Sequence, residues 1–475
     1  MVGVGRTSRL RAHLTWRLGV FVWAELVLLL WWAGERPGLL SPDSVRYIRS
    51  VTVGPWTADH SVLYDTAVLA SLAVQRGVGL LTLAQTVVAA AVLAYTVGSL
   101  RQIGLNSVWA ALPGLVLPLM PSFGAFVVTV WKDVPFALCE VMVTATVLRI
   151  LAAGSGRTRP GLLAALGAEL LGLTLFRNDG FLVVLGIAVF LALALRGLRL
   201  RVLGVAAAAL VGFVVAQQVV IPAVGIAPAN SSLSYGIFYA DVAIAYDRHP
   251  ELFRPFDEAL LAQVAPLPAW RAAHNCYTSD PLFAMPGFRL DRAAALHTEL
   301  FALWRRVLRR SPETVLAARA CRGSIAWDVL PPSPRRAHFA GATAPTPRDL
   351  YGGAKVLPPD IAAHLQQRPL WSPVGRLATY LARVFGPVAL QAVEWRGATW
   401  CYLSYLALGV AALRVRRWAI LGAGAAALSN QLVVLTVNPA QLYRYMIGPL
   451  LVGVVLLPLL TLAGRDPAER ADDGG

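Results

Sequence analysis

Charge is scarce in this chain, and lysine is almost missing from it. Only 14% of the 475 residues are charged, and the 42 basic residues include just two lysines, Lys132 and Lys355. By contrast, 57% of the residues are hydrophobic and the mean hydropathy is +0.60. This balance excludes an ordinary soluble enzyme as the overall class, and we expect a membrane protein.

Two further absences narrow the class of protein. The sequence has no internal repeat. No small-residue cleavage site follows Trp32, so we expect the first apolar segment to be a retained span rather than a signal peptide. The net charge of +16 comes from short arginine runs beside apolar segments, not from one basic stripe with interleaved aromatic residues. This distribution argues against nucleic acid as a partner.

The apolar residues form blocks whose lengths are close to the ~20 residues needed to cross a bilayer. We therefore predict an all-α polytopic membrane protein with about ten transmembrane helices. The predicted spans are residues 18–33, 78–100, 107–130, 134–151, 162–176, 180–195, 202–223, 397–413, 418–437 and 445–463.

The arginine runs give the predicted orientation. They precede the first span and follow every second span after it, so they all face one side, which the positive-inside rule assigns to the cytoplasm. We predict cytoplasmic ends and a multi-pass protein of the plasma (inner) membrane. The runs are Arg6, Arg9, Arg11 and Arg17; Arg101; Arg157 and Arg159; Arg196, Arg199 and Arg201; Arg414, Arg416 and Arg417; and Arg465.

The same topology divides the chain into modules. We predict an N-terminal transmembrane module at 1–223 with a first outer loop at 34–76, a large extracytoplasmic loop domain at 224–396 between spans seven and eight, C-terminal transmembrane helices at 397–464 and a cytoplasmic tail at 465–475. The stretch 331–347, rich in proline and alanine, is predicted to be a linker.

Within the large loop, two helices are predicted between Leu290 and Leu330, with a new start at Ser311-Pro312-Glu313. The first helix carries an apolar stripe surrounded by arginines. Such a stripe suits a helix lying on lipid headgroups, and it equally suits a helix packed on its own domain.

Four cysteines are present, and their locations separate them into two pairs. Cys139 and Cys401 lie in or near apolar spans and are most simply small core residues. Cys276 and Cys321 share the large outer loop, in a compartment that permits disulfides. We predict a bridge between them, with two unpaired thiols as the alternative.

The first outer loop supplies the acidic candidates for chemistry. Asp43 comes directly after the first span, where a carboxylate can reach a substrate at headgroup level; the alternative is a helix N-cap. Asp59 with His60 lies further along, and a solvated turn is the alternative for that pair. The candidates of this loop are Asp43, Tyr47, Asp59 and His60, with Arg46 beside them.

Basic candidates occur at three other outer span ends. Lys132 is an unusual choice in a chain with forty arginines, and lysine offers a compact charge suited to phosphate. A snorkelling lysine paired with Asp133 is the alternative. A tight turn would explain the polar residues that follow Arg177, and an aromatic belt would explain those that flank Arg444. The flanking residues are Asn178, Asp179, Tyr443 and Tyr445.

This set of cations and carboxylates at a lipid interface fits transfer of a sugar from a lipid phosphate. Cations would hold the phosphate and stabilise the leaving group, while a carboxylate removes the proton of the acceptor hydroxyl. Because phosphate leaves as a stable anion, the paired carboxylates of hydrolases are not required. We predict Asp43, Asp59 and Asp133 as catalytic carboxylates, with Asp43 as the base. Lys132, Arg177 and Arg444 are predicted phosphate ligands, and Tyr47, His60, Asn178, Asp179 and Tyr443 are predicted substrate-binding residues. No cofactor is certain from the sequence, and a divalent metal is compatible with the site.

Two pairs of segments carry a family resemblance. Ser41-Pro42-Asp43-Ser44-Val45-Arg46-Tyr47, followed by Asp59-His60-Ser61-Val62-Leu63-Tyr64, resembles the first outer loop of the protein O-mannosyltransferases and the lipid A aminoarabinose transferases. Trp131-Lys132-Asp133 and Arg177-Asn178-Asp179-Gly180 resemble a large bacterial branch of the same GT-C superfamily. The resemblance implies a polyprenyl-phosphate-linked sugar as donor, Asp43 as catalytic base, and an extracytoplasmic acceptor.

Two other classes stay open at this point. Glu25, Glu140 and Glu169 lie inside predicted spans, and intramembrane acids often mark transport paths, which would suit a lipid-linked sugar transporter or flippase. The same acids could instead form contacts between helices or the floor of an active-site cavity. An O-antigen ligase or polymerase also combines many spans with a large outer loop.

Overall fold

The computed structural model describes residues 4–154, 159–284, 287–330, 357–384 and 388–463, and these residues form helices and loops with no strand. The N-terminal part contains α1 (Val4–Glu35), α2 (Pro42–Thr52), α3 (Val62–Gln75), α4 (Gly79–Gln102), α5 (Ser107–Val116), α6 (Pro121–Val127), α7 (Asp133–Ala153), α8 (Pro160–Phe176), α9 (Gly180–Ala194), α10 (Arg199–Val215) and α11 (Ile221–Ala223).

The remaining helices fall into two groups. The large loop contains α12 (Ser231–Arg248), α13 (Pro255–Val264), α14 (Leu267–Ala272), α15 (Asp280–Ala284), α16 (Leu290–Ala295), α17 (His297–Arg310), α18 (Pro312–Arg322), α19 (Ser324–Trp327), α20 (Pro359–His364), α21 (Ser372–Val384) and α22 (Val388–Glu394). The C-terminal part contains α23 (Gly397–Val415), a 3-10 segment (Trp418–Gly424) that leads into α24 (Ala425–Val437), and α25 (Ile447–Leu456).

The described helices confirm the class of an all-α membrane protein. Six are long and apolar enough to cross a bilayer: Thr15–Glu35, Gly79–Gln102, Asp133–Ala153, Arg196–Ala223, Gly397–Val415 and Trp418–Val437. Three other predicted spans, 162–176, 180–195 and 445–463, correspond to apolar helices of fewer than 18 residues. The total of ten spans therefore stays a prediction.

The third predicted span, 107–130, is not one straight helix. It is a pair of helical pieces, Ser107–Leu119 and Pro121–Val127, that meet at an angle of 68°. Pro118 and Pro121 lie at the break. Each proline lacks a backbone N–H and clashes with the preceding turn, which ends the first piece and starts the second in a new direction.

Helix α7 lies at the centre of the bundle. It packs against α4, α8 and α25. In its most apolar stretch 72% of the residues are buried, compared with 28% in α1. A helix that is apolar all round and enclosed by others cannot tilt or rotate freely. Its first residue, Asp133, is therefore held at a fixed point at one end of the bundle.

The large loop has a hydrophobic core of its own. Tyr239, Tyr246 and Trp270 are buried there together with the apolar stripe of α17. The stripe includes Leu300 and Leu303. Helix α17 therefore packs on its own domain, which is one of the two alternatives considered for it. The next helix starts at Pro312, as predicted, but the stretch from Leu290 to Leu330 contains the four helices α16 to α19 and not the two predicted.

The disulfide predicted between Cys276 and Cys321 is present, with the two Cα atoms 5.8 Å apart. Cys139 and Cys401 are free thiols among apolar neighbours, as expected of small core residues. The predicted linker 331–347 and the predicted tail 465–475 lie outside the described residues.

Candidate functional site

The start of α2 is attached to the segment that precedes α7. Ser44 Oγ donates to the carbonyl of Val130 at 2.7 Å, and Trp131 Nε1 donates to Ser41 Oγ at 2.5 Å. Ser41 is also the N-cap of α2, with its side chain accepting from the backbone N–H of Ser44. Ser41 therefore fills the N-cap position that was the alternative role for Asp43, and the Asp43 carboxylate is available for another partner.

That partner is Arg444, which stands 401 positions later in the chain. Arg444 Nη1 lies 2.5 Å from Asp43 Oδ2 and 3.9 Å from Asp133 Oδ2. On the other side of Asp133, Arg177 Nε lies 3.8 Å from Asp133 Oδ1, and Arg177 Nη2 lies 2.6 Å from Asp179 Oδ2. Acid and arginine alternate along this row, which we call the charge chain: Asp43, Arg444, Asp133, Arg177 and Asp179.

The charge chain joins four separate parts of the sequence, namely the first outer loop, the start of α7, the turn between α8 and α9, and the segment before α25. These parts had been predicted to share one edge of the membrane. The contacts bring five of the predicted site residues together. Which side of a membrane this edge faces stays a prediction.

Aromatic rings surround both guanidinium groups. The ring of Tyr445 lies 5.2 Å from Arg177 Cζ and 5.0 Å from Arg444 Cζ, so it separates the two cations. Trp131 covers Arg444 and Phe136 covers Arg177 at similar distances. Tyr445 had been attributed to an aromatic belt, and its contact with two cations could not be inferred from a lone Tyr-Arg-Tyr pattern.

Asp133 is the least satisfied member of the chain. Its side chain is 2% exposed, and neither carboxylate oxygen has a hydrogen-bond partner among the described residues. The two arginines beside it stay at 3.8 and 3.9 Å, beyond hydrogen-bond distance. A buried carboxylate of this kind marks a place where a ligand group, an ion or water is needed.

Lys132 differs from the two arginines. Within the described part of the chain its ammonium group forms no ion pair and no hydrogen bond, although Asp133, Asp179 and Asp43 attract it. Burial lowers the pKa of Lys132, and the acids only partly offset this. The snorkelling alternative required a pair with Asp133, and that pair is not formed.

The electrostatics of the first outer loop keep Asp43 ionised. Burial raises the pKa of Asp43, but the guanidinium of Arg444, supported by His60 and Arg46, outweighs it and holds the pKa well below its usual range. Burial and the Lys132 charge lower the pKa of His60 to about 4. At neutral pH the loop therefore presents an ionised Asp43 beside a neutral His60.

Tyr47 completes this side of the site. Its ring packs edge-on against His60 at 5.0 Å between centroids, and its hydroxyl is buried with no hydrogen-bond partner among the described residues. Burial raises the pKa of Tyr47, and the charges of Asp43 and Asp133 raise it further. The hydroxyl is therefore placed to donate to a substrate oxygen near the charge chain.

Three predicted residues have contacts of a different kind. Asp59 accepts from the Thr57 hydroxyl at 2.8 Å and from the backbone N–H of Asn230 at 2.7 Å, so it ties the first outer loop to the start of α12. Asn178 donates to the Asp59 carbonyl at 3.3 Å. Tyr443 is buried in an aromatic cluster with Phe126, Trp131 and Trp395. The structure places these three beside the charge chain rather than in it.

The segment that carries Arg444 is held by the loop domain. Residues 438–441, which we call the strap, lie against the ends of the Cys276–Cys321 disulfide. Three contacts fix the strap: Gln441 N to the Tyr277 carbonyl at 3.0 Å, Ser279 N to the Pro439 carbonyl at 2.8 Å, and Asn438 Nδ2 to the Arg322 carbonyl at 2.9 Å. The disulfide thus braces the peptide that leads directly to Arg444.

A further acid lies below the charge chain. Glu140 is seven residues after Asp133 on α7, about 10 Å deeper at helical rise. It accepts from Asn430 Nδ2 at 3.3 Å, and a Cβ on Gly448 would lie 1.4 Å from its Oε2 atom. Gly448 is therefore required for Glu140 to fit between α7 and α25.

Among the described residues, no group of three or more histidine, cysteine or acidic side chains is arranged to hold a metal ion. A divalent metal bound by protein ligands alone is therefore not supported at the charge chain.

Comparison with protein-family models, with curated proteins and with solved structures finds no match to this chain.

Proposed function

We propose that this protein transfers a sugar from a polyprenyl-phosphate-linked donor to an acceptor hydroxyl on the extracytoplasmic side of the membrane. The observation that carries the proposal is the charge chain with Lys132 beside it. Three carboxylates and three cations meet at one end of an apolar helix bundle, and among the described residues Lys132 has no ion pair. An anionic lipid headgroup would give the Lys132 ammonium an ion-pair partner.

In the proposed reaction, Asp43 accepts the proton of the acceptor hydroxyl. The acceptor oxygen attacks the anomeric carbon of the sugar, and the bond from that carbon to the phosphate oxygen breaks. The phosphate leaves with the bonding electron pair, and Lys132 and the two arginines stabilise its charge. Because the leaving group is already a stable anion, no general acid is assigned.

The Asp43–Arg444 pair gives the donor a second role. A carboxylate whose pKa is held low by an arginine is a poor base. Both arginines are already paired with carboxylates, so a phosphate that binds an arginine must compete with an acid for it. If the phosphate takes Arg444, the pKa of Asp43 rises towards the range of a useful base. Donor binding would then activate Asp43, and the donor would bind before the acceptor reacts.

The test is a sugar-transfer assay with purified full-length protein and a labelled polyprenyl-phosphate sugar. Asp43→Asn should lower turnover by at least ~10², the typical contribution of a general base. Asp59→Asn is the matched control, since Asp59 holds Asn230 rather than the charge chain, and it should keep most of the activity. Near-normal turnover in Asp43→Asn would remove Asp43 as the base.

Transport of a lipid-linked sugar is the second function to weigh. Its sequence support was the three intramembrane acids, yet each accepts a hydrogen bond from a neighbouring helix: Glu25 from Thr86, Glu169 from Thr146, and Glu140 from Asn430. Contacts between helices explain these acids without a transport path. Movement of intact labelled lipid across vesicles, with no transfer to an acceptor, would favour the transporter. Transfer only from a lipid-linked glycan chain would favour a ligase or polymerase.

A further inference from the structure

A second candidate site lies at the opposite end of the bundle from the charge chain. It is a cavity of about 670 Å³ between α9, α23 and the 3-10 segment that leads into α24. Its volume is within the roughly 300–1,000 Å³ usual for ligand sites. The wall is apolar, with Phe190, Leu421 and Leu428 among its residues, and the groove is open along one side, where Leu193 and Leu421 are 63% and 41% exposed.

Two glycines bring the walls of this groove close together. A Cβ on Gly422 would lie 3.1 Å from the Ala194 Cβ, and a Cβ on Gly424 would lie 2.7 Å from Leu408 Cδ1. The 3-10 segment therefore approaches both α9 and α23 closely at these two positions. The two glycines therefore hold the 3-10 segment against α9 and α23, and the groove lies between these three elements.

The length of the groove fits one leaflet of a bilayer. It runs from Trp418, next to the end of α23, to Tyr405, ten residues from that end. At helical rise this is about 15 Å, which is half of the ~30 Å hydrocarbon thickness. Tyr405 closes the deep end, and its hydroxyl is already bonded to Gln431 at 2.6 Å. An acyl chain of a single leaflet has the length and polarity to fill such a groove.

The charge at the mouth identifies the headgroup. Arg196 lines the mouth directly after α9, and Arg416 and Arg417 precede Trp418. All three arginines are exposed, and none of them has an ion pair within the described residues. A guanidinium at the membrane surface attracts anionic lipid headgroups and can hold a phosphate with two hydrogen bonds.

We propose that this groove binds one anionic diacyl phospholipid, with an acyl chain between α9, α23 and the 3-10 segment and its phosphate on Arg196. The site is separate from the charge chain, and the proposal does not depend on the sugar-transfer function. It assigns a lipid to the arginine-rich edge of the bundle, where no substrate chemistry was inferred.

Native mass spectrometry of the full-length protein tests the proposal, after equilibration with vesicles of phosphatidylglycerol and phosphatidylcholine in equal amounts. We expect one retained phosphatidylglycerol per protein, at least tenfold in excess of phosphatidylcholine. Arg196→Gln should reduce this retention at least fivefold. Arg201→Gln, an exposed arginine of the same run that does not line the cavity, should leave it unchanged.

A further variant, Ala419→Trp, fills the groove without changing charge and should also abolish retention. It keeps the proposal decidable if Arg196→Gln fails to fold. Equal retention of the two lipids, or equal losses in Arg196→Gln and Arg201→Gln, would mean adventitious lipid only and would overturn the proposal. Preferential retention of a polyprenyl phosphate added in a parallel sample would also overturn it, because it would reassign the groove to the donor lipid.

Discussion

Two buried aspartates lie between pairs of arginines in this protein, and their surroundings differ. Asp241, in the loop domain, accepts from Arg322 Nη1 at 3.0 Å on one oxygen and from Arg319 Nε at 2.7 Å and Trp304 Nε1 at 3.0 Å on the other. Asp133 has its arginines at 3.8 and 3.9 Å and no hydrogen bond on either oxygen among the described residues.

The difference separates a structural ion cluster from a candidate site. Burial and nearby arginines are common to both aspartates, so neither property by itself indicates function. Asp241 connects α12 to α18 and has its hydrogen-bonding capacity filled by the protein. Asp133 has unfilled capacity, and a lysine without an ion pair precedes it. The carboxylate oxygens of Asp133, which lack hydrogen bonds, and the ammonium of Lys132, which lacks an ion pair, support ligand binding at the charge chain.

Replacing each aspartate in turn gives the largest expected effect. Asp241→Asn removes the charge that compensates two buried arginines, and we expect a loss of about 3–5 kcal/mol in the free energy of unfolding. Asp133→Asn should cost much less, because its arginines keep Asp43 and Asp179 as partners and its carboxylate has no hydrogen bond to lose among the described residues. Chemical unfolding of the detergent-solubilised protein measures both. Equal losses would mean that Asp133 is also a structural acid.

Removal of the lysine without an ion pair should have the next largest effect. Lys132→Ala should weaken binding of a polyprenyl phosphate about tenfold or more, since a charge-assisted hydrogen bond contributes roughly 1.5–3 kcal/mol. The control is Arg309→Ala, which removes an exposed cation of the loop domain. Titration calorimetry in detergent gives the two affinities. If both variants bind alike, the phosphate is not held by Lys132.

A smaller effect on the affinity for polyprenyl phosphate, of opposite sign, is expected when Asp43 is replaced. Asp43→Asn frees Arg444 from its carboxylate partner, so polyprenyl phosphate should bind several-fold more tightly while sugar transfer falls. Asp59→Asn, whose carboxylate is not paired with an arginine, should leave the affinity unchanged. A weaker affinity in Asp43→Asn would show that the donor phosphate does not compete with Asp43 for Arg444.

The smallest effect concerns pH. The pKa of His60 is about 4 in the folded protein, below its ordinary value of 6.5. Between these values the unfolded chain binds a proton that the folded protein does not, so stability is full above about pH 6.5 and falls as the pH drops towards 4. His60→Gln should reduce the drop in melting temperature between pH 7 and pH 4.5. His364 is exposed, so His364→Gln is the control and should keep the full drop in melting temperature.

Much of the fold follows from the sequence because hydropathy is a local property. The apolar runs mark the helices, and the disulfide follows from two cysteines in one outer loop. The bend at Pro121 also has a local cause, but a continuous apolar run from 107 to 130 conceals it. The count of spans depends on how the shorter helices lie in a bilayer, which hydropathy does not determine.

The candidate site could be predicted only in part. Asp43, Lys132 and Arg444 were selected because charge is scarce in this chain and these residues lie at predicted outer span ends. The actual partners are set by contacts between distant residues: Ser41 rather than Asp43 caps α2, and Asp59 bonds to Asn230, 171 positions away. The position of Tyr445 between two guanidiniums depends on how the segment before α25 packs against the turn between α8 and α9. Residue type and spacing do not contain that information.

The strap and Arg444 also bear on the order in which the protein is made. Chains are synthesised from the amino end, so Asp43, Asp133 and Arg177 are inserted long before Arg444 leaves the ribosome. The disulfide partners Cys276 and Cys321 precede the strap as well. Both cysteines of the disulfide that supports residues 438–441 are therefore synthesised before those residues. Until Arg444 is synthesised, Asp43 lacks the guanidinium that holds its pKa low in the finished protein.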